Sequence, residues 1–355
     1  MKQWTTSPAW RGLAAAWAVV WLAGCVTVSH TTERSRLVGS LWWVSAEEAA
    51  RPVEEWRHDL DELQALGMEL IVLNGPFVGR KPAPGEIDPM RAFFEEANRR
   101  GLRLYVDTLA VANWWTLDDP KDEIARARKR IDDVAAHYGR YRSFEGWYIP
   151  YETYVSWDAQ AKLVRDLYRE VSAYCKRVTP NKPTMISPFF ILDKEGYLGD
   201  FRWAAPPEYQ AFWTDVLKEA SIDIVALQDS GEHLAFYTIE ERAPFFEAMK
   251  AACDAAGATL WANVETGELN IRSYEDYVGR FGAKTHVNDP ATTPFWHGVP
   301  AAKLRDKLRF TRQYTPTAIT WGYREFIRPS LGPLALDLYL DYYMTLVKGK
   351  RPFGS

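Results

Sequence analysis

The segment FEGWYIPYE, residues 144–152, is a short apolar run that carries a glutamate, Glu152, at its carboxyl end. Both faces that a strand would present are mostly apolar, which is typical of a strand buried in a parallel sheet. Amphipathic helical patterns precede it at 119–139 and follow it at 157–180. A buried strand between two such helices is the repeating unit of an α/β fold.

The same alternation continues along the chain in both directions. Besides 144–152, seven apolar runs predict strands, and a helical pattern follows each of the eight. The other predicted strands are 37–44, 70–75, 102–108, 183–190, 222–230, 259–265 and 317–326, and the other predicted helices are 52–67, 88–101, 206–221, 241–257, 300–314 and 333–349. Eight such units predict a single-domain (β/α)₈ TIM barrel over residues 37–350. An open doubly wound sheet is the alternative, but no glycine-rich phosphate loop follows the first predicted strand.

Composition and motifs exclude several classes of function. The 355 residues are 47% apolar and 25% charged, with a formal net charge of −4. A chain without a basic excess lacks the electrostatic footprint of a nucleic-acid-binding protein. Neither nucleotide-binding glycine motif occurs, and the six histidines show no paired ligand spacing. We therefore predict no cofactor, no metal and no nucleic-acid partner, and we expect a monomer.

The amino-terminal region predicts export and a membrane anchor. A positively charged start leads into an apolar run at Leu13–Ala23, which is too short to span a bilayer and is typical of a secretory signal. The run ends in Leu-Ala-Gly-Cys, which resembles the bacterial lipoprotein cleavage box, where the cysteine becomes the acylated first residue. We predict a signal peptide at 1–24, an acylated Cys25 that opens a polar tether at 25–36, and location in the bacterial cell envelope. The alternative is an ordinary signal peptide that happens to contain a cysteine.

Two further cysteines, Cys175 and Cys253, lie in helical patterns far apart in the sequence. An exported protein could oxidise such a pair. Since the barrel would separate their helices, we predict two free and buried thiols.

Two glutamates stand where a barrel carries its chemistry. Active sites of this fold use residues at the carboxyl ends of the strands, and Glu152 and Glu265 end the fourth and seventh predicted strands. Carboxyl groups from these strands can face one bound group, and a glycosidase needs one carboxylic acid and one carboxylate. Aromatic neighbours favour the neutral form of Glu152. We predict Glu152 as the acid/base and Glu265 as nucleophile or base, with Asp229 as the main competitor.

Other strand ends and long loops supply candidates for substrate binding. Small polar side chains suit sugar hydroxyl groups, and a flat aromatic ring matches the C–H face of a sugar, although any one ring could belong to the core. The predicted substrate-binding residues are Trp42, Asn74, Asp107, Trp114, Tyr148, Tyr151, Ser187, Gln228, Asp229, Asn263, Trp296, Trp321 and Tyr323.

These motifs resemble known proteins. Glutamates that end strands 4 and 7 of a barrel resemble the catalytic arrangement of glycoside hydrolase clan A, although Tyr151 stands where those enzymes commonly place asparagine. Several segments also resemble a bacterial group of glycoside-hydrolase-like barrels catalogued as domain-of-unknown-function family 4434, over about residues 37–348. They are WRHDLDELQALGMELIVL, FEGWYIPYE, ISPFF, IVALQDS and LWANVE. The resemblance implies a barrel enzyme that hydrolyses an extracellular or envelope polysaccharide or oligosaccharide.

A function of another class fits the same sequence. A surface lipoprotein that binds glycans without turnover would use the same aromatic residues. Its carboxyl groups would not have to converge on one bound group.

Overall fold

A computed structural model of the protein describes residues 36–76, 88, 90–110 and 113–349. Eight parallel strands close into a barrel in the order β1-β10-β7-β6-β5-β4-β3-β2. They are β1 Leu37–Trp43, β2 Leu70–Asn74, β3 Arg103–Asp107, β4 Phe144–Tyr148, β5 Thr184–Ile186, β6 Ile224–Gln228, β7 Thr259–Asn263 and β10 Ala318–Thr320. The predicted single-domain (β/α)₈ fold is confirmed.

Helices follow the strands and pack their apolar stripes against the barrel. They are α1 Ala46–Ala49, α2 Val53–Ala65, α3 Arg91–Arg100, α4 Lys121–Tyr138, α5 Asp158–Val178, α6 Pro206–Glu219, α7 Ala243–Ala256, α8 Tyr274–Phe281, α9 Ala301–Thr311 and α10 Pro333–Tyr342. Helices α3 and α7 end at Gly101 and Gly257, which take the left-handed conformation that favours glycine. Helices α5 and α7 carry Cys175 and Cys253 as free, buried thiols, as predicted.

The inside of the barrel is filled with side chains. Nine buried residues form this inner cluster: Leu70, Val72, Tyr105, Tyr148, Met185, Ile224, Ala226, Trp261 and Ile319. Within it, Tyr105 meets Trp261 edge-on with ring centroids 6.0 Å apart. Because this packed interior leaves no room for a ligand, a site has to lie above it, at the carboxyl ends of the strands.

The strands end earlier than the sequence predicted. Strand β4 stops at Tyr148, and the last sheet bond of this segment runs from the Ile149 N–H to the carbonyl of Met185. Pro150 follows and has no N–H to continue the ladder. Glu152 therefore lies in a loop four residues beyond its strand.

The segment after β7, predicted as a long loop at 266–299, folds into structure of its own. Strands β8 (Gly267–Leu269) and β9 (Trp296–Gly298) pair antiparallel, and helix α8 lies between them. Ser273 caps α8 by accepting a hydrogen bond from the Asp276 N–H, a serine-cap signal that the sequence carries. This insertion has its own apolar cluster, which includes Leu234, Leu269 and Tyr277.

The predicted amino-terminal features stay predictions. The signal peptide at 1–24, Cys25 and the tether as far as residue 35 lie outside the described residues. Within the described part of the chain, no helix is both long and apolar enough to cross a membrane.

The close packing of β4 can be tested at Gly146. A Cβ atom there would lie 2.5 Å from the carbonyl oxygen of Pro183 and 2.7 Å from the ring of Tyr105. That carbonyl accepts the Trp147 N–H and cannot easily move. We expect Gly146→Ala to lower the free energy of unfolding by about 1–3 kcal/mol, measured by denaturant titration.

Gly279→Ala is the matched control, because nothing lies within 4 Å of its added Cβ atom in α8. We expect this control to leave stability unchanged or to raise it by up to about 1 kcal/mol. Equal denaturation midpoints for the two variants would contradict the close packing described at Gly146 in β4.

Candidate active site

A cavity of about 330 Å³ opens at the carboxyl ends of the barrel strands. This volume is at the lower end of the range for small-molecule sites. We call it the rim cavity, and its lining residues are Leu41, Trp43, Glu152, Phe189, Gln228, Ser230, Glu232, His233, Asn263, His286, Asn288, Trp321 and Glu325. Predicted strand-end residues thus share one cavity with loop residues that the sequence did not single out.

A larger cavity of about 940 Å³ lies along α10. Its walls are mostly apolar, and they include Leu334, which is 83% exposed. The predicted catalytic carboxyl groups do not line it. We place the candidate site in the rim cavity because chemistry needs converging polar groups rather than volume.

Glu152 presents its carboxyl group to the rim cavity. Oε1 accepts a hydrogen bond of 2.5 Å from the Tyr148 hydroxyl, and Oε2 accepts one of 3.1 Å from Gln228 Nε2. The side chain is open to the cavity, yet protein atoms surround it on the other sides. This desolvation raises the pKa of Glu152 above its ordinary value, although the two hydrogen bonds act to lower it.

Glu265 is almost fully buried and is not among the residues that line the rim cavity. Neither carboxyl oxygen has a hydrogen-bond partner among the described residues. Burial raises the pKa of Glu265 well above its ordinary value, and the negative charges of Asp229 and Glu152 raise it further. The effect of Glu152 shows that the two carboxyl groups lie within electrostatic reach of each other.

Asp229 holds the Glu265 backbone in place. Its Oδ1 accepts a 2.8 Å hydrogen bond from the Glu265 N–H and lies 3.0 Å from Nζ of Lys307. Lys307 also donates to the carbonyl of Glu265 at 2.7 Å, and Arg242 donates to the carbonyl of Asp229. Asp229 is fully buried and does not line the rim cavity. One oxygen of its carboxyl group is engaged with the protein, whereas its Oδ2 and both carboxyl oxygens of Glu265 have no hydrogen-bond partner among the described residues.

Five of the predicted substrate-binding residues lie at or next to the cavity. Gln228, Asn263 and Trp321 line it. Ser187 is buried beside Asn263 and accepts a 3.0 Å hydrogen bond from its Nδ2. Tyr148 belongs to the packed barrel interior, and its hydroxyl donates a hydrogen bond to Glu152.

Four predicted aromatic contacts lie in the hydrophobic core instead, and we correct them. Trp42 is fully buried and stacks between Trp56 and Tyr323, with centroids 6.2 and 6.3 Å away. Tyr151 and Trp114 pack against each other 5.2 Å apart. The physical reason at Trp42 is strand alternation, which turns this residue outward toward the helices. A ligand in the rim cavity cannot reach these rings.

Three further predicted contacts also lie outside the rim cavity. Asp107 is buried in an ion pair with Arg130, 2.6 Å away, so its carboxylate serves the fold. Asn74 is half-buried at the end of β2 and does not line the cavity. Trp296 borders the larger cavity and packs on Phe326 with centroids 6.2 Å apart.

Sequence reasoning missed several lining residues. Trp43 is 54% exposed, and the alternation that buries Trp42 could have identified it. Glu232, His233, His286 and Asn288 come from loops. No periodic signal marks such residues, because only the folding of the loops brings them to the cavity. The described residues contain no cluster of metal-binding side chains.

Known proteins resemble this chain in sequence pattern and in fold. The pattern of the family described as Domain of unknown function (DUF4434) matches residues 39–331. No curated protein matches the chain.

Solved structures share the fold at low sequence identity. A Bacteroides thetaiotaomicron VPI-5482 protein, called a "putative alpha-L-fucosidase", is 21% identical with a TM-score of 0.66, over 88% of this chain and 94% of its own. A GH2 beta-galacturonidase from Eisenbergiella tayi, bound to galacturonate, is 14% identical with a TM-score of 0.51, over 88% of this chain and 51% of its own. At these identities the likeness shows the fold alone.

The unpaired burial of Glu265 predicts a pH-dependent cost in stability. Because its pKa is raised on folding, the folded chain holds a proton that the unfolded chain releases above about pH 4.3. Stability from this group is therefore lost as pH rises from that value toward the raised pKa. At pH 8 we expect the free energy of unfolding of Glu265→Gln to exceed that of the wild type by about 1–3 kcal/mol. Near pH 4 we expect the two proteins to be equally stable.

Thermal unfolding of both proteins across this pH range checks the prediction. Glu247→Gln on the exposed face of α7 is the control, and it should follow the wild type at every pH. A Glu265→Gln variant that is less stable at pH 8 would mean that the carboxylate has a partner.

Proposed function

Since the chain belongs to the family described as Domain of unknown function (DUF4434), we propose that it is a glycoside hydrolase with two catalytic carboxyl groups. One observation carries the proposal: Glu152 lines the rim cavity within electrostatic reach of a second carboxyl group, Glu265, which has no hydrogen-bond partner among the described residues. An enzyme that cleaves a glycosidic bond requires such a pair.

In this proposal Glu152 is the acid/base and Glu265 the nucleophile or base. Glu152 lines the cavity, where it can give a proton to the leaving oxygen of a bound sugar. Burial disfavours ionisation of both groups, and the negative charges of Asp229 and Glu152 disfavour it further at Glu265. The proposed reaction uses one carboxyl group that keeps its proton and one that is ionised. Lys307 and Arg242 act to lower the pKa of Glu265 and so support its charged form.

Asp229 has a positioning role in this scheme, because its Oδ1 accepts the Glu265 N–H and pairs with Lys307. It remains the competitor that the sequence suggested, and its variants are the natural comparison for those of Glu265. The names of the fold neighbours, a "putative alpha-L-fucosidase" and a beta-galacturonidase, support the reaction class only by analogy.

The substrate we propose is an extracellular or envelope polysaccharide or oligosaccharide. Trp321 and the exposed Trp43 line the rim cavity and can stack on sugar rings. Gln228, Asn263 and Asn288 add amide groups that can bind hydroxyl groups.

The proposal is tested with Glu152→Gln, which keeps the shape of the side chain but cannot donate an acidic proton. The purified chain, assayed on a panel of polysaccharides, should release reducing ends. We expect the variant to lose about 10²- to 10⁴-fold in rate. Glu145→Gln in β4 makes the same chemical change away from the cavity and should retain the rate.

A variant that cleaves at the wild-type rate would overturn the role of Glu152. If the wild type binds glycans but releases no reducing ends, the protein is the alternative, a non-catalytic glycan-binding lipoprotein. Binding by calorimetry on the same panel separates these outcomes.

We also propose that acylated Cys25 anchors the exported chain to a membrane of the cell envelope. The support is the sequence alone, where Leu-Ala-Gly-Cys follows an apolar run. We expect Cys25→Ser to move the protein from the membrane fraction to the soluble fraction of bacterial cells. Cys175→Ser changes a buried thiol of the barrel and should stay with the membrane. Membrane retention of the Cys25→Ser protein would contradict the anchor.

A further inference from the structure

Glu232 is a buried carboxyl group that the proposed mechanism does not use. It lines the rim cavity and is only 5% exposed. No described residue gives its carboxyl group a hydrogen bond or an ion pair. Its oxygens are not sealed from solvent, so a ligand group that enters the cavity can reach them and complete their hydrogen bonds.

The backbone holds Glu232 there under strain. Gly231, Glu232 and His233 take φ values of 56°, 87° and 62°, so three successive residues are left-handed. Such conformations are unfavourable for residues that carry a Cβ atom, and they concentrate at functional sites. The turn brings both Glu232 and His233 to the cavity wall.

The rim cavity has more carboxyl groups than cations to balance them. Glu152, Glu232 and Glu325 line it, and none of the described lining residues is lysine or arginine. Of the histidines that line it, His233 has its pKa lowered to about 3 by burial, so it carries no charge at neutral pH. The pKa of His286 is also lowered by burial.

Arg324 and Arg328 act to lower the pKa of Glu325 against the effect of burial, and they pair with Glu48 and Asp59. The other nearby cations are engaged behind the wall. Lys307 pairs with Asp229, and Arg242 donates to backbone carbonyl groups, including those of Asp229 and Ser230. Neither of them lines the cavity. A bound anion would therefore meet carboxyl groups, whereas a bound ammonium group would find hydrogen-bond acceptors there and would favour the ionised form of a neighbouring carboxyl group.

We propose that the rim cavity selects a sugar with a free, protonated amine, and that Glu232 binds its ammonium group. The inference rests on the proposed function only in taking the ligand to be a sugar. An ammonium group donates up to three hydrogen bonds, and the bond to a carboxylate is charge-assisted. N-acetylation removes that charge, and the carboxylate of a uronic acid reverses it.

The acidity of Glu232 agrees with this assignment. Burial, with a smaller effect from Asp193, raises the pKa of Glu232 to about 8. The carboxyl group is therefore largely neutral when the cavity holds no cation. Pairing with an ammonium group restores its ionised form.

Binding is measured by calorimetry on the Glu152→Gln chain, so that no ligand is consumed. The probes are a glucosamine oligosaccharide, its N-acetylated counterpart of the same length, and an oligogalacturonate. We expect the glucosamine oligomer to bind about tenfold tighter than the N-acetylated one, and the oligogalacturonate to bind weakest. Added salt should weaken only the binding of the glucosamine oligomer.

Adding Glu232→Gln to this chain keeps a hydrogen-bonding side chain but removes the charge. We expect the tenfold preference to disappear, mainly through weaker binding of the glucosamine oligomer. Glu247→Gln on the outer face of α7 is the matched control and should keep the preference.

Equal or tighter binding of the N-acetylated oligomer, or no binding of any probe, would overturn the inference. So would a preference that survives in the Glu232→Gln variant. If the wild type cleaves nothing but shows the preference, the proposed hydrolase fails while this assignment stands. If it cleaves a neutral glycan and shows no preference, the assignment fails while the hydrolase stands.

Discussion

The candidate site depends on the buried ion pair between Lys307 and Asp229, whose atoms lie 3.0 Å apart. It joins three elements, because Lys307 comes from α9, Asp229 follows β6, and both bond the backbone of Glu265 after β7. Removing either partner would leave a buried charge without compensation. The pair therefore fixes the strand ends on one side of the barrel mouth and leaves the carboxyl group of Glu265 free. The proposed roles, positioning for Asp229 and catalysis for Glu265, follow from this constraint.

The repeating pattern of the sequence was enough to predict the barrel, since burial on both faces and flanking amphipathic helices leave few other folds. It also placed Glu152, Gln228 and Asn263 at or just after the ends of apolar strands, and all three line the rim cavity. It failed where a partner distant in sequence decides the role of a residue. The pairing of Asp107 with Arg130 on α4 is one case. Glu232 is another, because no periodicity describes a strained turn.

The insertion after β7 supports that strained turn. In strand β8, the Leu269 N–H donates a hydrogen bond of 2.8 Å to the carbonyl of His233. The Leu269 carbonyl accepts one of 3.0 Å from the Ala235 N–H. Leu234 packs into the apolar cluster of the insertion. The loops after β6 and β7 therefore support each other. The part of the rim-cavity wall that carries Glu232 depends on a segment that is not part of the barrel. Changes in the insertion would alter the cavity without disturbing the eight strands.

Glu152 lies four residues beyond the end of β4, on a loop that begins at Pro150, whereas Glu265 lies only two residues beyond β7. The separation of the two carboxyl groups is therefore not fixed by the stagger of the barrel strands. In glycosidases that separation decides stereochemistry: about 5–5.5 Å retains the anomeric configuration, and about 6.5–9.5 Å inverts it. In a hydrolase built in this way, the conformation of the loop after β4 would set part of that separation.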